Sequence, residues 1–343
     1  MKAVVITKEG SPVAANVRVV SDWPEPKAGP GEAVVRTHAS AMNQLDLHVG
    51  RGIPGMGLTY PRVSGSDGAG AIESVGDGVD ASWIGRRVLL NAQIPKPDPM
   101  IPGVTPAAPD RIMIGEHING TMAEKFTAPI ANLLDIGETD PVQAAAFGLT
   151  HLTAWRMLWS RARVQPGQYV LITGIGGGVA LAALNIARHL GCRTIVTSRH
   201  QWKLDRALTL GAHHGVLDTG DDWSKAVRAN TGKRGVDVVI DSTGKAVHMA
   251  CIKSLARGGI FVTCGTSAGA DATTDLARIY WNQLSILGST RGDMNEFREV
   301  FALLRSGAIQ PVIDRVFAAD DASRAYARLE SAEQFGKIVI KWP

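Results

Sequence analysis

A cluster of glycines in the middle of the chain has the composition of a phosphate-binding turn. The cluster, residues 174–178 (GIGGG), follows the apolar run 169–173 and precedes an alanine- and leucine-rich stretch at about 179–190. The run predicts a buried strand and the stretch predicts a helix. A phosphate can reach backbone N–H groups at a helix N-terminus only where no Cβ blocks it. The order strand, glycine turn and helix therefore predicts the start of a dinucleotide-binding βαβ unit. The residues predicted to contact the dinucleotide here are Gly174, Gly176, Gly177, Gly178 and Val179.

The spacing of these glycines departs from the strict G-x-G-x-x-G pattern. Reading Gly174-x-x-Gly177-x-x-Ala180 places alanine at the last position, where only close packing of helix on strand is required. A glycine-rich turn without a ligand is the alternative. The strand before the turn and the helix after it favour a cofactor.

The end of the second strand indicates which dinucleotide is expected. Proteins that prefer NAD place Asp or Glu there to bind the ribose 2′-hydroxyl, whereas residues 197–203 read TSRHQWK, without an acid. Ser198 can donate a hydrogen bond, and Arg199 and Lys203 bring positive charge that suits a 2′-phosphate. Charge-assisted bonds of about 1.5–3 kcal/mol each can set such a preference. NADPH is therefore the predicted cofactor, and the alternative is that Arg199 and Lys203 are solvated charges on a helix.

The elements around the glycine turn predict a doubly wound α/β domain. Strands and helices alternate, which is typical of a parallel Rossmann sheet. Strands are predicted at 169–173, 192–198, 214–218, 236–242, 259–264 and 284–288, with helices at about 179–190, 202–210, 222–229, 246–255 and 274–281.

A β-rich domain is predicted before this unit. Residues 1 to about 125 contain short strand-like runs broken by Gly and Pro. The proline-rich segment 91–111 predicts a surface loop or lobe, and the terminal run 336–342 predicts a strand that returns to the first domain. Residues 1–150 and 292–343 are therefore assigned to one domain and residues 151–291 to the other.

Composition and charge limit the classes of function. The 343 residues suffice for two domains. The net charge is +4 and the basic residues form no long block, which argues against a nucleic-acid partner. No apolar run reaches the roughly 18 residues of a membrane span, and the N-terminal segment lacks the apolar core of a signal peptide. Cys192, Cys251 and Cys264 have no paired spacing, which disfavours a disulfide framework and a cysteine-based zinc site. We expect a cytoplasmic protein that binds a small-molecule substrate, without a membrane partner.

Several segments together resemble the medium-chain dehydrogenase/reductase superfamily over almost the whole chain. They are NQLDLHVGRG, VSGSDGAGAIESVGDGV, LTAWRML, VLITGIGGGVALAA, KLDRALTLGA, GVDVVIDSTG, LARGGIFVTCGT and QFGKIVI. The resemblance implies a β-rich GroES-like catalytic domain together with the Rossmann domain. It also implies a homodimer, with a predicted contact at the edge strand 284–288, because two-fold pairing would cover that edge.

The resemblance also implies positions for zinc, and this chain departs from the zinc enzymes there. Where those enzymes carry the ligands of the catalytic metal, this chain has Asn43, Ser66-Asp67 and Leu149. Segment 91–111, which matches the lobe with four structural cysteines, contains none. Because zinc prefers cysteine sulfur and histidine nitrogen in tetrahedral sets, both metal sites are predicted to be absent.

Further cofactor contacts are implied by the resemblance. The ends of strands face the ligand in open α/β sheets. The residues implied are Thr153 near the nicotinamide or its ribose, Ser242, Thr243, Cys264, Gly265 and Thr266 along the dinucleotide, and Lys337 at a phosphate. Local hydrogen bonds in turns are the alternative for each serine and threonine. Cys264 is expected to contribute its backbone, since no partner base is recognisable nearby.

The zinc-free branch of this superfamily includes quinone oxidoreductases and enone or enoyl reductases. The resemblance therefore implies NADPH-dependent hydride transfer to a quinone or an activated C=C bond. Asn43 and Asp46 are the candidate catalytic residues; each either orients the substrate or braces its loop. Asp46, Asp67 and His48 are otherwise interpreted as structural hydrogen-bonding residues. The alternatives are an alcohol dehydrogenase that acts on carbonyl or alcohol substrates and a non-catalytic NADPH-binding protein.

Overall fold

The computed structural model describes residues 1–96 and 110–343 and divides the chain into two compact units. The first unit comprises Met1–Leu149 and Ile313–Pro343, and the second comprises Thr150–Val312. No helix within the described residues is both long and apolar enough to cross a lipid bilayer.

The first unit consists mainly of β-strands. Its strands before residue 150 are β1 (Ala3–Ile6), β2 (Val17–Val20), β3 (Glu32–Ala41), β4 (Arg62–Val63), β5 (Gly68–Val75), β6 (Arg87–Leu90), β7 (Gln93–Pro95), β8 (Arg111–Met113), β9 (Lys125–Pro129) and β10 (Leu133–Asp135). Helix α1 spans Gln44–Arg51, and helix α2 spans Pro141–Trp155, so that the division between the units falls within α2.

The second unit alternates strands and helices. In chain order these are β11 (Tyr169–Ile172), α3 (Gly178–His189), β12 (Arg193–Ser198), α4 (Gln201–Thr209), β13 (His214–Leu217), α5 (Ser224–Ala229), β14 (Val236–Asp241), α6 (Lys245–Ser254), β15 (Leu255–Thr263), α7 (Leu276–Asn282), β16 (Ser285–Gly288) and α8 (Met294–Arg305). The chain then returns to the first unit with β17 (Ile313–Ala318), α9 (Ala322–Glu330) and β18 (Lys337–Lys341).

The larger sheet of the first unit is organised around β3. Its order is β10-β6-β5-β3-β18-β17, and β9 also pairs with β3. The terminal strand β18 runs antiparallel to β3, with Ile340 opposite Ser40. Strands β7 and β8 pair at the two ends of the proline-rich segment, of which residues 97–109 lie outside the described residues.

The sheet of the second unit confirms the predicted doubly wound α/β class. Its order is β13-β12-β11-β14-β15-β16, and the neighbouring strands pair in parallel. Val170, Leu171 and Ile172 of the central strand β11 are fully buried, as expected where helices cover both faces of a parallel sheet. Strand β15 begins at Leu255, earlier than predicted, because Leu255 pairs with Val236 across an irregular register.

The predicted domain boundary at residue 291 differs from the observed division. Residues 292–312, which include α8, belong to the second unit. The Glu296 carboxylate on α8 accepts a hydrogen bond from Arg156 Nη1 at 2.6 Å, and Trp155 Nε1 donates to Glu299 Oε2 at 3.2 Å. These polar contacts join α8 to residues at the start of the second unit. The residue pattern of α8 alone does not reveal them.

Candidate functional site

The glycine turn presents bare backbone at the start of α3. Gly174 and Gly176 have φ of +63° and +109°, which side chains other than glycine rarely adopt. Gly177 is extended, and α3 begins at Gly178. Because the first N–H groups of a helix have no intrahelical partner, those of Gly178 and Val179 are placed to bind an anion.

Positive charge lies beside this turn. A Cβ on Gly176 would lie 2.8 Å from Cδ and 3.4 Å from Nζ of Lys203, so the lysine side chain packs against the turn. Ser198 Oγ accepts a hydrogen bond from His200 N at 3.1 Å, and its own proton can be donated elsewhere. Arg199 is exposed and forms no hydrogen bond or ion pair with any residue that the structure describes.

The ends of four parallel strands meet at the turn. A Cβ on Gly174 would lie 3.1 Å from Thr243 Oγ1, and one on Gly265 would lie 3.1 Å from the Ser242 carbonyl oxygen. Ile175 N donates to the Thr197 carbonyl at 2.8 Å, which joins the turn to the end of β12. The structure therefore brings together, within the second unit, the residues predicted from the ends of β11, β12, β14 and β15.

Asp241 organises this edge of the sheet, and the sequence analysis did not single it out. Its buried carboxylate accepts hydrogen bonds from Thr173 Oγ1 at 2.6 Å, Thr243 N at 3.0 Å and Gly244 N at 2.9 Å. The sequence feature that could have identified Asp241 is an acid at the end of an apolar strand, directly before a Ser-Thr-Gly turn. Asp241 is a positioning residue for Thr243, because two of the three bonds hold the backbone of this turn and the third holds Thr173 at the end of β11.

The surroundings of Thr153 and Cys264 indicate what each side chain can contribute. Thr153 is buried, and its Oγ1 has no hydrogen-bond partner among the described residues, so this hydroxyl is available to a ligand. Burial raises the pKa of the Cys264 thiol to about 12. Cys264 therefore stays protonated near neutral pH, which disfavours a role as nucleophile. Thr266, two residues later, is exposed.

A buried polar cluster in the first unit joins Asn43, Asp67 and Lys337. The Lys337 ammonium donates to Asn43 Oδ1 at 2.6 Å and to Asp67 Oδ2 at 3.0 Å, and its side chain is 4% exposed. Asn43 Nδ2 donates to the same Asp67 oxygen at 2.9 Å, and Leu149 N donates to Asp67 Oδ1 at 2.6 Å. These two bonds hold the Lys337 side chain in place, and its predicted contact with a phosphate stays a prediction. The structural interpretation of Asp67 agrees with these bonds.

The predicted catalytic role of Asp46 is corrected by its geometry. The carboxylate is fully buried, and its two oxygens accept hydrogen bonds from Asn43 N at 2.7 Å and Gly65 N at 2.8 Å. Burial raises the pKa of Asp46 to about 6. Because both oxygens accept hydrogen bonds from backbone N–H groups, the structure favours the bracing role of Asp46 in the loop before α1 over a contact with substrate.

Comparisons with known proteins match both units. Residues 29–138 match the alcohol dehydrogenase GroES-like domain family, and residues 178–306 match the zinc-binding dehydrogenase family. A zinc-type alcohol dehydrogenase-like protein of Schizosaccharomyces pombe is 30% identical over 92% of each chain. The quinone oxidoreductase of Rattus norvegicus is 27% identical over 99% of this chain and 97% of its own. A crystal structure of an NAD-dependent alcohol dehydrogenase is 36% identical, covers 100% of both chains and has a TM-score of 0.92.

The chain belongs to the medium-chain dehydrogenase/reductase superfamily. This assignment confirms the resemblance found in the sequence, and it makes the chain an oxidoreductase of a family whose fold binds pyridine nucleotides. The residues of the second unit fit such a cofactor. Glycines at positive φ leave the N-terminus of α3 uncovered, and Thr153 carries a buried hydroxyl without a partner.

The residues of the first unit do not fit the zinc that the family names imply. Asn43 and Ser66 offer an amide and a hydroxyl, and Leu149 offers no ligand atom at all. Asp67, the remaining donor, is paired with the Lys337 ammonium, whose charge would repel a second cation. Within residues 1–96 and 110–343, no group of three His, Cys, Asp or Glu side chains is arranged to hold a metal.

Proposed function

We propose that the chain is an NADPH-dependent reductase that transfers a hydride to a quinone or an activated C=C bond without zinc. The observation that carries this proposal is the Lys337–Asn43–Asp67 cluster. Asn43 and Asp67, which the resemblance places at positions of metal ligands in the zinc enzymes, are both bonded to the Lys337 ammonium. The similarity to a quinone oxidoreductase over nearly the whole chain supports the same substrate class.

The donor set of the first unit favours a conjugated substrate over an isolated ketone. A bound Lewis acid normally contributes several kcal/mol to the polarisation of a carbonyl. In an enone or a quinone the π-system spreads the arriving negative charge onto oxygen, so hydrogen bonds can suffice. The bound NADPH would supply the hydride, and the protein would orient it and exclude water.

The charge pattern at the end of β12 supports NADPH as the cofactor. No acid follows Ser198 before α4, Arg199 has no partner among the described residues, and Lys203 packs against Gly176. These residues suit a ribose 2′-phosphate by charge and by the planar fork of arginine. Because a related structure is that of an NAD-dependent enzyme, NADH is the competing cofactor. Comparing the affinities of the protein for NADPH and NADH decides between them.

The destination of the hydride tests this function. With NADPH carrying deuterium at both positions of C4, we expect label at the β-carbon of an enone after a single turnover. Product analysis by NMR reads the position directly. In the same preparation, elemental analysis should find less than one zinc per chain, and a chelator should leave the activity intact.

Each alternative function predicts a different result in that experiment. Label on a carbinol carbon, together with one tightly held zinc, would establish the alcohol dehydrogenase alternative that the names of two relatives favour. NADPH binding without transfer to any enone or quinone would establish the non-catalytic alternative.

We further propose a homodimer that pairs through β16. This strand lies at one end of the six-stranded sheet, and the neighbouring helix α7 carries the exposed side chains of Leu276, Tyr280 and Trp281. Exposed strand edges and large apolar patches favour association. Sedimentation velocity should show a dimer that Ile286→Lys on β16 converts to monomer, whereas Ile84→Lys, at a similarly exposed position of the first unit, should leave it intact. A monomeric wild-type protein would contradict the pairing.

A further inference from the structure

The side chain of Lys203 is buried against the glycine turn, although lysine side chains are usually exposed. Only 7% of the residue is exposed, and a Cβ on Gly176 would lie 2.8 Å from its Cδ and 3.4 Å from its Nζ. The next residues of the turn, Gly177, Gly178 and Val179, are half-buried, so solvent or a ligand can reach them. The Lys203 ammonium therefore lies beside backbone that a dinucleotide can approach.

The indole ring of Trp202 also lies beside this ammonium. The distance from Lys203 Nζ to the centroid of the ring is 5.3 Å, within the roughly 6 Å over which an aromatic face attracts a cation. The centroid of the His200 ring lies 6.5 Å from that of Trp202, and the His200 backbone N–H donates to Ser198 Oγ at 3.1 Å. His200, Trp202 and Lys203 thus form one group of contacts at the start of α4, directly after the end of β12.

The position of the Lys203 ammonium suits the 2′-phosphate of NADPH. In dinucleotide-binding units, residues at the end of the second strand reach the 2′ position of the ribose, and the glycine turn holds the adjoining pyrophosphate. These two parts meet in this protein, because Ile175 N donates to the Thr197 carbonyl at 2.8 Å. Lys203 extends from α4 to Gly176 of the turn and so brings a cation to their junction.

We propose that Trp202 is a positioning residue that holds the Lys203 ammonium in place for the 2′-phosphate of NADPH. This inference rests on the proposed NADPH dependence. The lysine side chain has a flexible stem, so an ammonium that is fixed in advance binds a phosphate at a lower entropic cost. The ring also contributes to the burial of the ammonium, and reduced access of water strengthens the attraction between two charges. Because NADH lacks the 2′-phosphate, Trp202 raises the affinity for NADPH alone.

Isothermal titration calorimetry with NADPH and with NADH tests this role in Trp202→Leu, in Lys203→Met and in the double variant. We expect Trp202→Leu to weaken NADPH binding about 5- to 10-fold, the scale of a partly buried cation–π contact, and to change NADH binding by less than about twofold. Lys203→Met keeps an apolar stem against Gly176 but removes the charge, so it should weaken NADPH binding at least as much. In the Lys203→Met background, Trp202→Leu should have no further effect, because the ring then has no cation to hold.

Two further variants separate this role from a structural one. Trp202→Phe keeps an aromatic face and should retain most of the NADPH affinity, whereas a loss equal to that of Trp202→Leu would contradict a cation–π contact. Trp159→Leu is the matched control, because Trp159 is 48% exposed, compared with 45% for Trp202, and stacks on the ring of Trp155 in the same unit. Its replacement should leave both affinities close to wild type.

Three other results would overturn the proposal. Equal losses of affinity for NADPH and NADH in Trp202→Leu would indicate that the ring supports the fold or contacts a part that both cofactors share. Unchanged NADPH affinity in that variant would show that the ring does not position the ammonium, and an undiminished loss in the Lys203→Met background would show that it acts without the lysine. In all three, a wild-type preference for NADPH leaves the proposed cofactor standing. If the wild-type protein does not bind NADPH more tightly than NADH, the proposed NADPH dependence fails and this inference fails with it.

Discussion

Replacement of Asp241 by alanine is expected to lower the free energy of unfolding of the second unit by about 3 kcal/mol. The carboxylate accepts three hydrogen bonds, from Thr173, Thr243 and Gly244, and bonds to a charged group contribute about 1.5–3 kcal/mol each. Burial raises the pKa of Asp241, which shows that desolvation of its charge offsets part of this gain. The net loss is large beside a total stability of about 5–15 kcal/mol. Cofactor affinity should fall as well, because the turn that carries Thr243 loses its anchor.

Urea denaturation followed by circular dichroism measures this change, and Asp271→Ala is the matched control. Asp271 is 84% exposed and pairs with Lys245 on the surface, where such pairs contribute about 0–1 kcal/mol. The two variants remove the same carboxylate group from the same unit. Equal urea midpoints for Asp241→Ala and Asp271→Ala would mean that the three hydrogen bonds of Asp241 do not stabilise the second unit.

The nucleotide-binding half could be predicted from the sequence because its signals are local. The apolar run of β11, the glycine turn and the start of α3 follow one another within twenty residues, and each has a physical reason that a short window displays. The carboxyl ends of parallel strands meet at one edge of a sheet. The convergence of Gly174, Thr243 and Gly265 therefore followed from the predicted topology.

The roles in the first unit could not be predicted because their partners lie far apart along the chain. Lys337 contacts Asn43 and Asp67 across sequence separations of 294 and 270 residues, and no pattern around Lys337 specifies those partners. Asp46 is a mixed case: its bond from Asn43 N belongs to a local capping box three residues long, whereas its bond from Gly65 N, 19 residues away, is visible only in the fold. Strand β17 also went unpredicted, because its ladder with the terminal strand β18 becomes visible only in the assembled sheet.

Replacement of Arg199 by alanine is expected to weaken NADPH binding 10- to 100-fold and to leave NADH binding almost unchanged. A lost charge-assisted contact to phosphate costs about 1.5–3 kcal/mol, and each 1.4 kcal/mol corresponds to a factor of about ten. Because Arg199 is exposed, solvent screening places the effect toward the lower part of that range. NADH has no 2′-phosphate and therefore no contact to lose. Fluorescence titration of both cofactors at one ionic strength measures the two affinities.

Arg257→Ala controls for the loss of a positive charge from the second unit. Arg257 is exposed, but it lies near the start of β15, on the side of the sheet opposite to the strand ends that meet at the glycine turn. Its replacement should change neither affinity by more than about twofold, since the field of a surface charge is screened within roughly 10 Å. Equal losses of affinity for both cofactors in Arg199→Ala would show that this arginine contributes to folding and not to binding of the 2′-phosphate. Tighter binding of NADH than NADPH by the wild-type protein would make the end of β12 an NAD site despite its missing acid.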